Sequence, residues 1–150
     1  MQIYYLWKAV DMVEDETHEF KIFQNDKDLE DIINKYLCGF LNAKGGVLYL
    51  GVRDDGVVVG VPHSRKALDK IRVAVDHLAK KFYPPVLSSQ YKVEERYIYD
   101  PNKCVMDESR RIIEVIISPG DPEELYFNGS FKAYIRKRAS CTILTPPEIK

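Results

Sequence analysis

The chain has 150 residues, 45% hydrophobic and 30% charged, which is enough apolar material for one folded domain and excludes a disordered tail. Lysine plus arginine number 22 and aspartate plus glutamate 23, so the net charge of -1 excludes a uniformly basic nucleic-acid-binding chain. Three widely spaced cysteines do not make a disulfide scaffold, and neither a signal-like start nor an apolar run of membrane-spanning length is present. We therefore expect one intracellular, cytoplasmic domain over residues 1–150, with no membrane partner.

The predicted elements alternate between helices and strands. In chain order they are a strand over 3–7, a helix over 28–43, a strand over 47–52, its hairpin partner over 57–61, a helix over 65–82, strands over 91–99, 111–118 and 132–137, and a helix start at 145–148. The helices follow from apolar residues that recur every three or four positions, with Asp26 or Asp28 as the expected cap of the first and Gly45-Gly46 at its end. Residues 100–110 carry neither pattern and are predicted to form a loop. This order predicts an α+β fold, a mixed β-sheet with two main helices.

The charges are unevenly distributed along the chain. Residues 1–31 hold nine acids against three lysines, a local net charge of -6. Residues 65–81 and 132–138 each carry a net charge of +4. A solvated helix face explains the first basic segment better than phosphate binding does. In the second basic segment, one strand face is predicted to carry Tyr134, Arg136 and Arg138. An aromatic ring beside two guanidinium groups is suited to binding a nucleic-acid backbone.

Three carboxylates are the strongest candidates for chemistry. Glu14 and Glu19 bracket a polar segment before the first helix, and Asp54 ends the strand predicted over 47–52. Carboxylates that converge repel one another and then hold a proton or a divalent cation. Asp is also common in hairpin turns for structural reasons, and nine acids in 31 residues give suitably spaced pairs by accident. Spacing alone therefore leaves both interpretations open.

Other chemistries find less support. Ser64 beside His63 and the three cysteines lack recognisable partners for nucleophilic catalysis, and packing explains them better. No paired Cys or His motif predicts a zinc site. Gly45-Gly46 and Gly51 do not form a phosphate-binding loop, because the lysine of that motif is missing, which disfavours nucleotide hydrolysis.

Several segments together resemble the Schlafen domain, a divergent Alba-like fold also called a divergent AAA module. These segments, which lie in the family's order, are HEFK at 18–21, GFLNAKGG at 39–46, VLYLGVRDDG at 47–56, VGV at 59–61, and AYIRKRASCT at 133–142 followed by LTP and EI. The resemblance covers residues 14–149. It implies a single Schlafen-like domain that is one lobe of a two-lobe assembly.

In Schlafen proteins that cut RNA, the resemblance implies three acidic residues that bind Mg²⁺ or Mn²⁺. These positions fall on Glu14, Glu19 and Asp54, all acidic here. The implied ion activates water and stabilises charge on the scissile phosphate. Lys21 is expected to add a phosphate contact, and Arg136 and Lys137 to hold the RNA backbone.

Two positions depart from the family pattern. Asp15 replaces the usual serine, and Arg53 replaces the usual aspartate before the third acid. Larger family nucleases carry two lobes around a positive groove, so this chain is expected to pair with a second lobe, as a homodimer or a heteromer.

We therefore expect a metal-dependent RNA endonuclease of the tRNA or small-RNA processing type, or a subunit of one. The alternative is a non-catalytic RNA-binding or assembly subunit whose partner supplies the chemistry.

Overall fold

A computed structural model describes residues 3–145 as two helices, a six-stranded sheet and a two-stranded hairpin. The elements are β1 (Tyr4–Tyr5), β2 (His18–Lys21), α1 (Asp26–Leu41), β3 (Gly46–Leu50), β4 (Val61–Pro62), α2 (Arg65–Ala79), β5 (Tyr91–Asp100), β6 (Val105–Ile117), β7 (Tyr134–Lys137) and β8 (Ser140–Ile143). The predicted α+β class, with a mixed sheet and two main helices, is confirmed. Residues 146–148 of the predicted helix start lie outside the described range.

The large sheet is mixed in direction. Its strand order is β1-β5-β6-β3-β2, and β4 pairs with the outer half of β6. β1 runs parallel to β5 and β2 parallel to β3, whereas β3 and β5 both run antiparallel to β6. Strand β2 is therefore an edge of the sheet, which leaves its far side open to the residues before it and to the β7–β8 hairpin.

Apolar cores lie on both faces of the sheet. On one face, α1 and α2 bury their apolar stripes against β3 and β6, and Tyr126 and Cys141 extend this core toward the β7–β8 hairpin. On the other face, a smaller cluster joins Phe20, Tyr49 and Ile112 to residues of the N-terminal segment and of the segment after β3. Both faces of β2 and β3 are thus packed, which fixes the side chains of these strands.

The helix ends differ slightly from the prediction. Asn25, not Asp26 or Asp28, caps α1, since its side chain accepts a hydrogen bond from the Asp28 N–H at 2.8 Å. Gly45 follows the helix at φ 74°, and a Cβ there would lie 2.5 Å from the carbonyl oxygen of Ile117. Ser64 caps α2, which gives this serine a structural role.

Two predicted segments differ more clearly. The predicted loop over 100–110 is wrong, because β5 reaches Asp100 and β6 begins at Val105; the two form a long hairpin in which the first residues of β6 are mostly exposed. The strand predicted over 57–61 is reduced to two isolated bridges, Val57 to Ala9 and Val58 to Val52, followed by β4. Gly51 and Gly60, both at positive φ, interrupt regular pairing there.

Candidate active site

Strand β2 presents its side chains alternately to the two faces of the sheet. Phe20 enters the smaller core, whereas Glu19 and Lys21 face α1 and the β7–β8 hairpin. Lys21 Nζ lies 5.3 Å from the ring centre of Tyr36 on α1. Glu19 is only 2% exposed. A buried carboxylate needs a charged partner, and the structure provides one.

That partner is Arg136 on β7. Its Nη1 donates to Glu19 Oε1 at 2.5 Å, and the two side chains are 0% and 2% exposed. Nη2 donates to the carbonyl oxygens of Asp15 at 2.7 Å and His18 at 3.0 Å. Burial alone would lower the pKa of Arg136, but hydrogen bonds to Glu19 and Cys141 raise it. These internal contacts correct the expectation that Arg136 holds an RNA phosphate.

A second carboxyl group joins Glu19. Glu14 accepts a hydrogen bond from the Phe20 N–H at 3.5 Å, which places its carboxyl group close to that of the preceding residue, Glu19. Partial burial, hydrogen bonding to Glu19 and the charge of Glu19 raise the pKa of Glu14 to about 7. Near neutral pH, Glu14 is therefore only partly ionised, and a cation bound beside it would replace the proton.

Lys21 is within electrostatic reach of both Glu19 and Asp54. Its Nζ lies 3.8 Å from Glu19 Oε2. Burial alone would lower the pKa of Lys21, but Tyr36, Glu19 and Asp54 raise it. The structure thus brings Glu14 and Glu19 into contact and leaves Asp54 apart from them.

Asp54 is exposed in the tight turn that follows β3. The turn is closed by a hydrogen bond from the Gly56 N–H to the Arg53 carbonyl oxygen at 2.8 Å. Arg53, the cation that departs from the family pattern, makes its ion pair with Asp55 and lines the same hollow as Asp54. Asp54 and Lys21 line one open hollow of about 490 Å³.

Within residues 3–145, no three His, Cys, Asp or Glu side chains come close enough together to hold a metal ion. The contacting pair Glu14 and Glu19 nevertheless fits a hard cation. Mg²⁺ is commonly bound through one or two carboxylates, with waters and substrate phosphates as the other ligands. The carboxylate oxygens of Glu14 and Glu19 are therefore suitable ligands for such an ion. Asp54, which is also near Lys21, is a more distant acid.

A second hollow opens beside Glu14. Its volume is about 650 Å³, and its lining residues are Glu14, Asp15, Glu16, Thr17, Lys44, Arg138 and Ala139. Lys44 Nζ is bonded to Glu16 Oε2 at 2.6 Å. Arg138 brings a second cation to the same hollow, against the carboxyl groups of Glu14, Asp15 and Glu16, so acids and cations stand side by side there.

The predicted basic strand face is wrong in its geometry. Strand β7 ends at Lys137, and Arg138 occupies the following turn at φ 51°. Tyr134 packs against the core of the helices, and Arg136 points inward to Glu19. Lys137 and Arg138 are exposed, so of the three consecutive cations at 136–138 these two can reach a ligand.

Sequence reasoning missed the role of Asn42. Its Nδ2 donates to the carbonyl oxygens of Tyr126 at 2.9 Å and Tyr134 at 2.8 Å, and its Oδ1 accepts from the Tyr126 N–H at 2.7 Å. This clamp sets the start of β7 and thereby the position of Arg136. The signal was present in the GFLNAKGG segment, but a side-chain amide just after a helix does not reveal its distant partners.

The arrangement of two helices on a mixed sheet is that of an Alba-like α+β domain. A similar fold occurs in the crystal structure of the DIP2311 protein from Corynebacterium diphtheriae, with a TM-score of 0.59 and 14% identity. The match covers 86% of this chain and 26% of that chain, so the chain spans about a quarter of that protein's length. At this identity the likeness shows the fold alone.

The family is shown by sequence. The family model described as Schlafen, AlbA_2 matches residues 14–145. The chain belongs to this Schlafen family, which confirms the resemblance. In addition, none of the helices within residues 3–145 is long and apolar enough to cross a membrane.

Proposed function

We propose that the chain is a metal-dependent RNA endonuclease of the tRNA or small-RNA processing type, or a subunit of one, acting in the cytoplasm. The contact between Glu14 and Glu19 carries this proposal. Two carboxyl groups held together this way attract a proton or a cation, and they lie beside open hollows lined by Lys21 and Arg138. Acids that can bind a metal ion, next to cations that can bind phosphates, are suited to cleaving a phosphodiester backbone.

In this mechanism, Glu14 and Glu19 would hold Mg²⁺ or Mn²⁺, and Asp54 is the further acid that family membership suggests. The ion, when bound, would supply an activated water and stabilise charge on the scissile phosphate. Arg136 fixes the orientation of Glu19 through its hydrogen bond. Glu14 gives up its shared proton as the pH rises through its pKa, which frees both carboxylates.

The exposed cations have separate roles in this proposal. Lys21 reaches the hollow beside Asp54, where its ammonium group would neutralise one phosphate oxygen. Arg138, together with the neighbouring Lys137, would hold the RNA backbone at the hollow beside Glu14. Both hollows are open on one side, which supports a second lobe, from a homodimer or a related subunit, as the other wall of the groove.

The test compares two neighbouring acids in one turn. Asp54 and Asp55 are both exposed, so Asp54→Asn and Asp55→Asn should both fold. Labelled tRNA and an unstructured RNA are incubated with each variant and Mn²⁺. Asp54→Asn and Glu14→Gln are expected to lose cleavage, whereas Asp55→Asn keeps it. Cleavage by Asp54→Asn and Glu14→Gln at the wild-type rate would contradict the proposal.

A second candidate is a non-catalytic RNA-binding or assembly subunit. It is favoured by the internal neutralisation of Glu19, whose oxygens already lie 2.5 Å from Arg136 and 3.8 Å from Lys21. In that case, pure chain binds RNA without cutting it, and Glu14→Gln leaves Mn²⁺ binding, measured by electron paramagnetic resonance, unchanged. Light scattering after size exclusion, with and without RNA, then determines whether a partner lobe is present.

A further inference from the structure

The two most exposed large hydrophobic side chains within residues 3–145 belong to neighbouring segments. Phe131 is 87% exposed and Tyr83 is 73% exposed. The segments are joined by a pair of backbone hydrogen bonds, from the Tyr83 N–H to the Phe127 carbonyl oxygen at 3.0 Å and from the Phe127 N–H to the Tyr83 carbonyl oxygen at 2.7 Å. Two aromatic rings that contribute little to the core are therefore presented to solvent from one place in the fold.

The Phe131 ring is presented by a well-fixed loop. Asn128, 4% exposed, accepts hydrogen bonds at its Oδ1 from the Ser130 and Lys132 N–H groups, at 2.9 and 3.2 Å. The Phe131 N–H donates to the Asn128 carbonyl oxygen at 2.9 Å, and Phe131 has φ 59°. A bulky residue in the left-handed region is unfavourable, and an exposed ring returns no packing energy to offset it. The loop thus holds the Phe131 ring in a fixed position, although the ring itself does not stabilise the fold.

Positive charge surrounds these rings. Lys80, Lys81 and Lys132 are exposed, and in the described part of the chain no carboxylate forms an ion pair with any of them. Lys81 lies directly against the second segment, since a Cβ on Gly129 would be 2.9 Å from the Lys81 Cβ. Neither residues 80–83 nor residues 127–132 contain an acid.

We propose that residues 80–83 and 127–132 form a platform for single-stranded RNA. Phe131 and Tyr83 would stack on unpaired bases, and Lys80, Lys81 and Lys132 would bind the adjoining phosphates. Aromatic rings among cations without acids suit such a strand, because every base offers a stacking face and every linkage a negative charge. A base-paired duplex hides these faces, so it does not fit. The proposal rests on the proposed function in taking RNA as the ligand.

The platform is connected to the candidate active site through the backbone of residues 126–136. The Asn42 clamp grips both ends of the 126–134 segment, and strand β7 continues from it to Arg136. Five residue steps separate Phe131 from Arg136, so their Cα atoms lie within about 18 Å of each other. A short RNA segment held on the platform therefore lies near Glu19 and stays in a fixed relation to it.

Fluorescence anisotropy of a labelled, unstructured 12-nucleotide RNA, without divalent ions, tests the platform. Phe131→Leu, which keeps an apolar side chain and removes the ring, should weaken binding about tenfold. Phe131→Trp should restore it. Ser130→Ala in the same loop is the matched control and should bind like the wild type. Lys132→Gln should reduce the slope of log K against log salt by about 0.7. A 12-base-pair duplex should show no difference among the Phe131 variants.

The outcomes separate this inference from the proposed function. If the wild type binds the single strand and Phe131→Leu binds it equally well, the platform is overturned while the endonuclease proposal stands; the rings then serve another partner, such as a protein. If the wild type binds no RNA at all, RNA as the ligand is overturned for both. If Phe131→Leu loses binding while Asp54→Asn keeps it but loses cleavage, both proposals are supported.

Discussion

Replacing Arg136 with methionine would remove the charged partner of Glu19 and keep most of the side-chain volume. Glu19 is 2% exposed, and the carbonyl oxygens of Asp15 and His18 would lose donors as well. Leaving a buried charge without its partner costs about 3–5 kcal/mol. Lys21, 3.8 Å from Glu19, remains as a weaker partner, so we expect the lower end, about 3 kcal/mol. For a domain of this size, that corresponds to a melting point lower by roughly 6–12 °C.

Urea denaturation followed by circular dichroism measures this loss, provided that the m-value is unchanged. Lys137→Met, at the neighbouring exposed cation, is the control and should change stability by no more than about 0.5 kcal/mol. The double variant Glu19→Met/Arg136→Met replaces the whole pair with apolar side chains and should recover a large part of the loss. A loss below about 1 kcal/mol in Arg136→Met, or a double variant less stable than Arg136→Met, would refute the reasoning.

Three further perturbations test other parts of the structure. The pKa of Glu14 is about 7, above the ordinary 4.5, so its proton stabilises the fold fully below about pH 4.5, and this contribution is lost as the pH rises through 7. Glu14→Gln should therefore flatten the dependence of the unfolding free energy on pH between pH 5 and 8. An unaltered slope of that dependence would contradict this. Asn42→Ala removes the clamp on the 126–134 segment and should cost about 2–3 kcal/mol, with faster amide hydrogen exchange there; exchange at the wild-type rate would be the contrary result. Gly45→Ala and Gly56→Ala both place a side chain at positive φ, which costs about 1–2 kcal/mol. Only Gly45→Ala adds a clash, with a backbone oxygen at 2.5 Å, so it should lower the melting point more. Equal melting points for the two variants would argue against that contact.

The sequence predicted the helices, the inner strands and the family because those signals are local. The spacing of Leu29, Ile33 and Leu37 on α1 and the apolar run of β3 reflect burial of a continuous face, which periodicity detects. The outer half of the β5–β6 hairpin could not be detected this way. Asp107 there pairs with Ile98 through the backbone, and the Ser109 N–H donates to the Asp107 side chain; neither contact needs an apolar side chain on β6.

The candidate site was predicted in its residue types but not in its contacts. Glu14 and Glu19 were selected by resemblance, and the structure places their carboxyl groups close together. The position of Arg136 could not be derived, because its partner lies 117 residues earlier in the chain. A strand residue flanked by other cations looks the same in sequence whether it faces solvent or a buried acid; only the packing of β7 beside α1, set by Asn42, decides the direction.

The near-zero net charge acquires a structural explanation from this packing. The acidic segment over 1–31 and the basic segment over 132–138 meet at the ion pair of Glu19 with Arg136, so part of each local charge is neutralised inside the protein. What remains for an RNA near the candidate site is Lys21, Lys137 and Arg138 against the carboxyl groups of Glu14, Asp15, Glu16 and Asp54. The lysines around Phe131 face no such opposing acid in their own segments. If both proposals hold, the salt dependence of RNA binding should therefore arise more from the platform than from the site of cleavage, because counterion release follows the cations that are free to meet phosphates.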